Sequence, residues 1–128
     1  MRQRHTWTKA EKLKSRKRIE WVFKEGKSLS VFPFKLFYLL AEPTPAAPLQ
    51  AGFGAGSRHF KKAVDRNRIK RLSREAYRVQ KQPLIDHLME KGLSMALFIV
   101  YTGKELPDHS TVKARIGVAL QKLIKEIK

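Results

Sequence analysis

Arg66-Asn67-Arg68-Ile69-Lys70-Arg71-Leu72-Ser73-Arg74-Glu75-Ala76-Tyr77-Arg78 is the stretch around which the rest of this chain is organised. Wound at about 100° per residue, it predicts a helix opening near Lys61, with Ile69, Leu72, Ala76 and Val79 on one stripe that should face a core. The opposite face carries Asn67, Arg71, Arg74 and Arg78, with Lys70 and Arg66 along one flank and Arg68 on the other. A solvated, charge-laced helix would mix its signs, yet only Glu75 dilutes this run. Like charges one turn apart cost a few tenths of a kcal/mol per pair, a repulsion that an anionic partner would relieve. Arginine predominates, and its planar fork suits phosphate oxygens.

The whole chain has the same bias. Its 128 residues make one domain's length, and 28 Lys and Arg against 11 Asp and Glu give a formal charge of +17 and a pI near 10.6. That balance is the electrostatic footprint of a nucleic-acid binder. A membrane-surface protein would need a basic amphipathic helix with exposed Trp, Phe or Leu, whereas the aromatic residues here sit mostly in strand-like or core-stripe settings. Cysteine is absent, which removes disulfides and thiolate metal sites and fits a reducing compartment. No apolar run approaches a membrane span, and the charged start lacks a signal peptide's apolar segment, so no membrane association and a cytoplasmic location are expected.

Taken in order, residues 1–14 are basic and polar and read as a flexible arm, followed by a single domain over 15–128. Ser15 is the better cap for a first helix, in which Ile19, Val22 and Phe23 recur at helical spacing and Gly26 ends the run; Trp21 lies off that stripe. Residues 28–32 predict a short strand that Pro33 confines to an edge or a bulge. The apolar run 34–41 predicts a second strand, and Pro43, Pro45 and Pro48 break it into an exposed loop. Residues 49–56 predict a third strand in which Gly52, Gly54 and Gly56 alternate. Their spacing is neither a dinucleotide fingerprint nor a P-loop, and a glycine-lined strand signals something lying close to its backbone. The basic helix, ending around 80–83, is followed by one or two helical turns through Leu84, Ile85, Leu88 and Met89 closed by Gly92. Residues 94–102 predict a central strand. A last helix, capped near Ser110 or Thr111, carries Ile116, Ala119, Leu120, Leu123 and Ile127.

Catalytic chemistry has no foothold in this sequence. His5, His59, His87 and His109 lack metal-ligand spacing, no carboxylate pair accompanies them, and there is neither a nucleophile elbow nor a cysteine. Asp65, Asp86 and Asp108 fall at turns or helix starts, where the helix dipole accounts for them. No acid, base, nucleophile or metal ligand can be named.

The Arg66-Asn67-Arg68-Ile69-Lys70-Arg71 run, continued through Arg78, closely resembles the signature of the protein subunit of bacterial ribonuclease P. The resemblance extends to Leu13, the 19–26 segment, Gly52-Phe53, Lys61-Lys62-Ala63 and the apolar strand near 95–101. It implies an α+β fold of order αβββαβα, a two-layer sandwich with a four-stranded sheet and a left-handed βαβ crossover like that of ribosomal protein S5 domain 2, a departure from the usual hand. It also implies that a catalytic RNA with bound Mg2+ hydrolyses precursor tRNA to remove the 5′ leader, assisted by the protein, with no obligate protein partner. RNA contacts would fall on Arg58, Lys61, Lys62, Arg66, Asn67, Arg68, Lys70, Arg71, Arg74 and Arg78, and a leader cleft would be lined by Ile19, Phe23, Phe37, Gly54 and Gly56. This chain departs from the family at Ile19, commonly aromatic, and at Gly56-Ser57-Arg58, commonly Ser-Lys-Lys or Ala-Lys-Lys; the loss of one ring implies leader binding that leans more on charge. The alternatives are a general RNA-binding or ribosome-assembly protein of similar fold and a protein-only nuclease, which the missing acid-base cluster disfavours.

Overall fold

The computed structural model describes residues 11–13, 15–41, 48–56 and 58–127. Helix α1 (Arg16–Glu25) is followed by strands β1 (Lys27–Val31), β2 (Phe34–Ala41) and β3 (Leu49–Ala55), helices α2 (Ala63–Arg78) and α3 (Gln82–Lys91), strand β4 (Ser94–Tyr101) and helix α4 (His109–Glu126). The strands form one sheet of order β1-β2-β4-β3. β1 and β2 pair antiparallel, as do β2 and β4, while β3 runs parallel to β4. A parallel neighbour needs a long crossover, and α2 with α3 supplies it. The architecture is α+β with a mixed four-stranded sheet, and the apolar 94–102 segment takes the central position its composition predicts.

Alternation along the strands sorts the side chains between two unequal cores. Phe34, Leu36 and Tyr38 of β2 join Met95, Leu97, Ile99 and Tyr101 of β4 on the face covered by the helices, with Ile69, Ala76 and Tyr77 of α2, Leu84 and Leu88 of α3, and Val112, Ile116, Ala119, Leu120 and Leu123 of α4. Burying each of the Val, Leu, Ile, Phe and Met side chains among them contributes about 1.5–3 kcal/mol. The reverse face holds a smaller cluster of Leu13, Val22 and Ala96, against which Ile19, Phe37, Leu39 and Phe98 pack. Helix α1 lies on this side alone.

Local signals set most boundaries. Ser15 Oγ accepts the Arg18 N–H at 3.4 Å, and the Gly26 N–H donates to the Val22 carbonyl at 2.9 Å, so α1 is capped at both ends. The last helix differs from expectation. Its cap is Asp108, not Ser110 or Thr111: Asp108 Oδ1 accepts the Thr111 N–H at 2.7 Å, which holds this carboxyl below its usual range. A carboxylate at an N-cap also interacts with the helix dipole, an advantage hydroxyls lack. Helix α3 spans ten residues where only one or two turns are expected. Pro83 sits in its first turn, where its missing N–H costs nothing.

Helix α2 is rotated slightly from its expected setting. Val79 follows the last helical residue and is 38% exposed, and Leu72 is only half-buried, while Ser73 and Tyr77 are buried beside Ile69 and Ala76. Ser73 is tolerated there because its hydroxyl donates to the Ile69 carbonyl at 2.8 Å. Past the helix end, Gln80 Nε2 donates to the carbonyls of Ala76 at 2.9 Å and Lys113 at 3.0 Å, tying α2 to α4.

The arm expected over 1–14 is described only at residues 11–13, and these belong to the folded body. The Leu13 N–H donates to the Ala51 carbonyl at 2.9 Å, Lys12 bridges to Ala51 in parallel, and Glu11 pairs with Lys81. Of the proline loop, residues 42–47 lie outside the described residues.

Candidate nucleic-acid interface

The buried stripe of α2 fixes what its other face presents. With Ile69, Ser73, Ala76 and Tyr77 inward, Asn67, Arg68 and Arg71 point to solvent, joined by exposed Arg58, Lys61 and Lys62 on the approach to the helix. Val64, Asp65, Asn67, Arg68 and Arg71 line a shallow groove along this face. Lys70, Arg74 and Arg78 are half-buried on the flanks, and Arg78 Nη2 donates to Glu75 Oε2 at 3.0 Å. Arg66 turns inward. Its Nη1 donates to the carbonyls of Phe60 at 2.7 Å and Lys61 at 2.8 Å, so this guanidinium shapes the 58–62 segment that displays the neighbouring cations.

A second site lies on the reverse face, between α1 and the sheet. Phe23 is 41% exposed although it shares the apolar stripe of α1, because Val22 takes the inward position. Its ring meets Phe37 edge-on at 4.6 Å between centroids and Phe98 at 5.2 Å. Ile19 packs beside them, and Trp21 points away. In the register, Phe98 stands opposite both Phe37 and Gly52, and the next row on that face is Lys35, Val100 and Gly54. Gly56 and Arg58 are exposed just beyond the end of β3.

The glycines of β3 have a physical reason. A Cβ at Gly52 would come 2.8 Å from Cδ2 of Phe98, and one at Gly54 2.9 Å from its Cε1. The close approach that the glycine spacing predicts is therefore made by the Phe98 ring, which sequence reasoning did not single out. The alternation of β4 carried the signal: positions 96, 98 and 100 share the face opposite Leu97 and Ile99. Lys35 was missed too, and its Nζ lies 5.2 Å from the Phe37 ring centroid.

Among the described residues no three His, Cys, Asp or Glu side chains converge as metal ligands. His87 Nε2 lies 2.7 Å from the Ile127 carbonyl, a contact that fixes the end of α4. No helix among the described residues is long and apolar enough to cross a membrane.

Comparison with known proteins agrees with this arrangement. The family model described as Ribonuclease P matches residues 7–123. A Porphyromonas gingivalis protein named ribonuclease P protein component is 38% identical over 113 residues, covering 88% of this chain and 82% of the relative. A Chlorobium phaeobacteroides protein of the same name is 32% identical over 119 residues, covering 85% and 82%. Among solved structures, the RNase P protein from Thermotoga maritima superposes with a TM-score of 0.65 at 27% identity, covering 92% of this chain and 98% of that one. The Staphylococcus aureus RNase P protein, at 18% identity, shares the fold with a TM-score of 0.69 over 91% and 97%. With most of its length matched by the family model and by relatives above 30% identity, this chain belongs to the ribonuclease P protein family.

Proposed function

We propose that this chain is the protein subunit of a bacterial ribonuclease P, that it binds the catalytic RNA through the outer face of α2, and that it receives the single-stranded 5′ leader of precursor tRNA in the cleft between α1 and the sheet. The observation that carries this reading is the separation of two chemically different surfaces. One presents Lys61, Lys62, Arg68 and Arg71 on the helix side of the sheet, and the other presents Phe23 and Phe37 on the reverse side.

Each surface matches a different RNA. Duplex RNA is recognised through phosphate and shape, which suits arginines on a rigid helix, whereas unpaired nucleotides offer bases that stack on aromatic rings. The cations release condensed counterions on binding, and the rings exclude water from a base. In this reading hydrolysis of the phosphodiester belongs to the RNA, with Mg2+ held there, and the protein's part is to hold both RNAs in register. Binding energy spent on the leader would favour precursor over mature tRNA, because mature tRNA has no leader to fill the cleft.

Reconstitution tests the reading. Adding the chain to a bacterial ribonuclease P RNA at low Mg2+ is expected to restore cleavage of a precursor tRNA at the mature 5′ end. No stimulation would overturn the reading and favour a general RNA-binding protein, and cleavage by the chain without any RNA subunit would reassign the chemistry to the protein.

A further inference from the structure

The cleft contains two residues outside the set implied by resemblance, Phe98 and Lys35, and their placement bears on the ring missing at Ile19. Phe98 comes from the central strand. Its ring lies across Gly52 and Gly54 so closely that a methyl group at either position would collide with it. It packs edge-to-face with Phe23 at 5.2 Å between ring centroids, and Phe23 packs likewise with Phe37 at 4.6 Å. Three rings from α1, β2 and β4 thus converge where the helix offers only two aromatic residues, one of which, Trp21, faces away. Lys35 lies one row along the same face, with Nζ 5.2 Å from the Phe37 centroid.

We propose that Phe98 and Lys35 form a nucleotide subsite of the leader cleft, in which one unpaired base stacks on the Phe98 ring beside Phe23 while the adjoining phosphate meets the Lys35 ammonium. The assignment rests on the leader-cleft reading above. It moves the stacking surface from the helix to the floor of the sheet, so leader binding in this chain retains its aromatic component despite Ile19. Three features support a built surface over simple filling of space. The ring is only half-buried, glycines rather than larger residues lie beneath it, and a cation stands beside the aromatic row. An aromatic face with a nearby ammonium is the pairing that single-stranded nucleic acid requires.

The experiment uses holoenzyme assembled from the full chain and a bacterial ribonuclease P RNA, titrated with precursor tRNAs that carry an abasic nucleotide at each leader position in turn. Wild type is expected to lose about tenfold in affinity at one position, the loss of one stacked base. With Phe98→Leu the intact precursor should bind about tenfold more weakly and the abasic change at that position should cost nothing further, whereas Phe98→Tyr should restore the wild-type pattern. Affinity for mature tRNA should not change. Additive losses at every position, or an equal loss for mature tRNA, would overturn the assignment. If wild type shows no sensitive leader position, the leader-cleft reading itself falls and takes this subsite with it. Should Phe98→Leu fail to fold, exposed Lys35 decides: Lys35→Gln should reduce the magnitude of the salt slope by about 0.7 for the leader-bearing precursor only, and an unchanged slope would overturn the proposal.

Discussion

Lys81 and Glu11 form an ion pair across 70 residues of sequence, with Lys81 only 1% exposed at the junction of α2 and α3. The pair fastens the root of the N-terminal arm to the domain beside the edge of β3. Removing one partner of a buried ion pair costs more than replacing both together. Glu11→Gln is therefore expected to lower unfolding free energy by about 3 kcal/mol, and the Glu11→Gln/Lys81→Met double variant by less than the sum of the singles. Urea denaturation checks this, and a loss below about 0.5 kcal/mol would place the pair among surface contacts.

Tyr77 gives the opposite expectation. Its ring packs against Phe53 at 5.4 Å, but its hydroxyl is buried and finds no hydrogen-bond partner among the described residues. Desolvation first, and the nearby Glu11 charge second, push its pKa well above the ordinary 10.0. Tyr77→Phe should be neutral or stabilising by about 1 kcal/mol, since it deletes a desolvated group that makes no bond. The sign of the pH effect follows: the folded state resists ionisation, so the stability from neutral Tyr77 is present below pH 10.0 and lost as pH rises beyond it. Thermal melts should show a shallower alkaline fall for Tyr77→Phe than for wild type.

The setting of α2 makes three substitutions diverge. Ile69→Ala should cost about 2–5 kcal/mol because the side chain is fully buried, Leu72→Ala distinctly less, and Val79→Ala within about 0.5 kcal/mol. Equal costs at Ile69 and Val79 would mean that the helix is seated differently.

How much of this was legible in the sequence depended on whether the signal was local. The Ser15 cap, the strand over 34–41 and the apolar face of α4 are periodic or capping patterns, and each appears where its spacing puts it, whereas the α2 stripe keeps Ile69 and Ala76 but loses Val79 to solvent. Ser73 and Tyr77 escaped notice because polar atoms disqualify a residue from an apolar stripe until a partner, or the lack of one, can be seen. The Glu11–Lys81 pair and the Phe98 ring over Gly52 join residues far apart in the chain, and no periodicity encodes such contacts. The glycines did announce a close neighbour, but only the register between β3 and β4 identifies it.

On the RNA side, Arg71 and Arg66 should behave differently. Arg71→Gln removes an exposed cation, so affinity for the catalytic RNA should fall and the salt slope should shrink in magnitude by about one, with the melting temperature unchanged. Arg66→Gln removes the bonds to Phe60 and Lys61, and it should lower the melting temperature as well. Filter binding over a salt series, paired with thermal melts, separates the two.

Self-repulsion among 28 cationic groups also predicts a response to anions. An anion that binds only the native state stabilises it by mass action, so sulfate, phosphate or RNA should raise the melting temperature more than chloride does at equal ionic strength. Equal responses to all four would remove specific anion binding as the cause.

The strand order also sets a timetable for synthesis. β1 and β2 can pair as soon as they leave the ribosome, but Phe34 must wait for Tyr101 and Gly52 must wait for Phe98, after the whole of α2 and α3 has been made. At about 5–20 residues per second that interval lasts several seconds. During it the apolar strand β2 has one free edge and α2 has no sheet to cover, so the basic helix can meet RNA before its own core is closed.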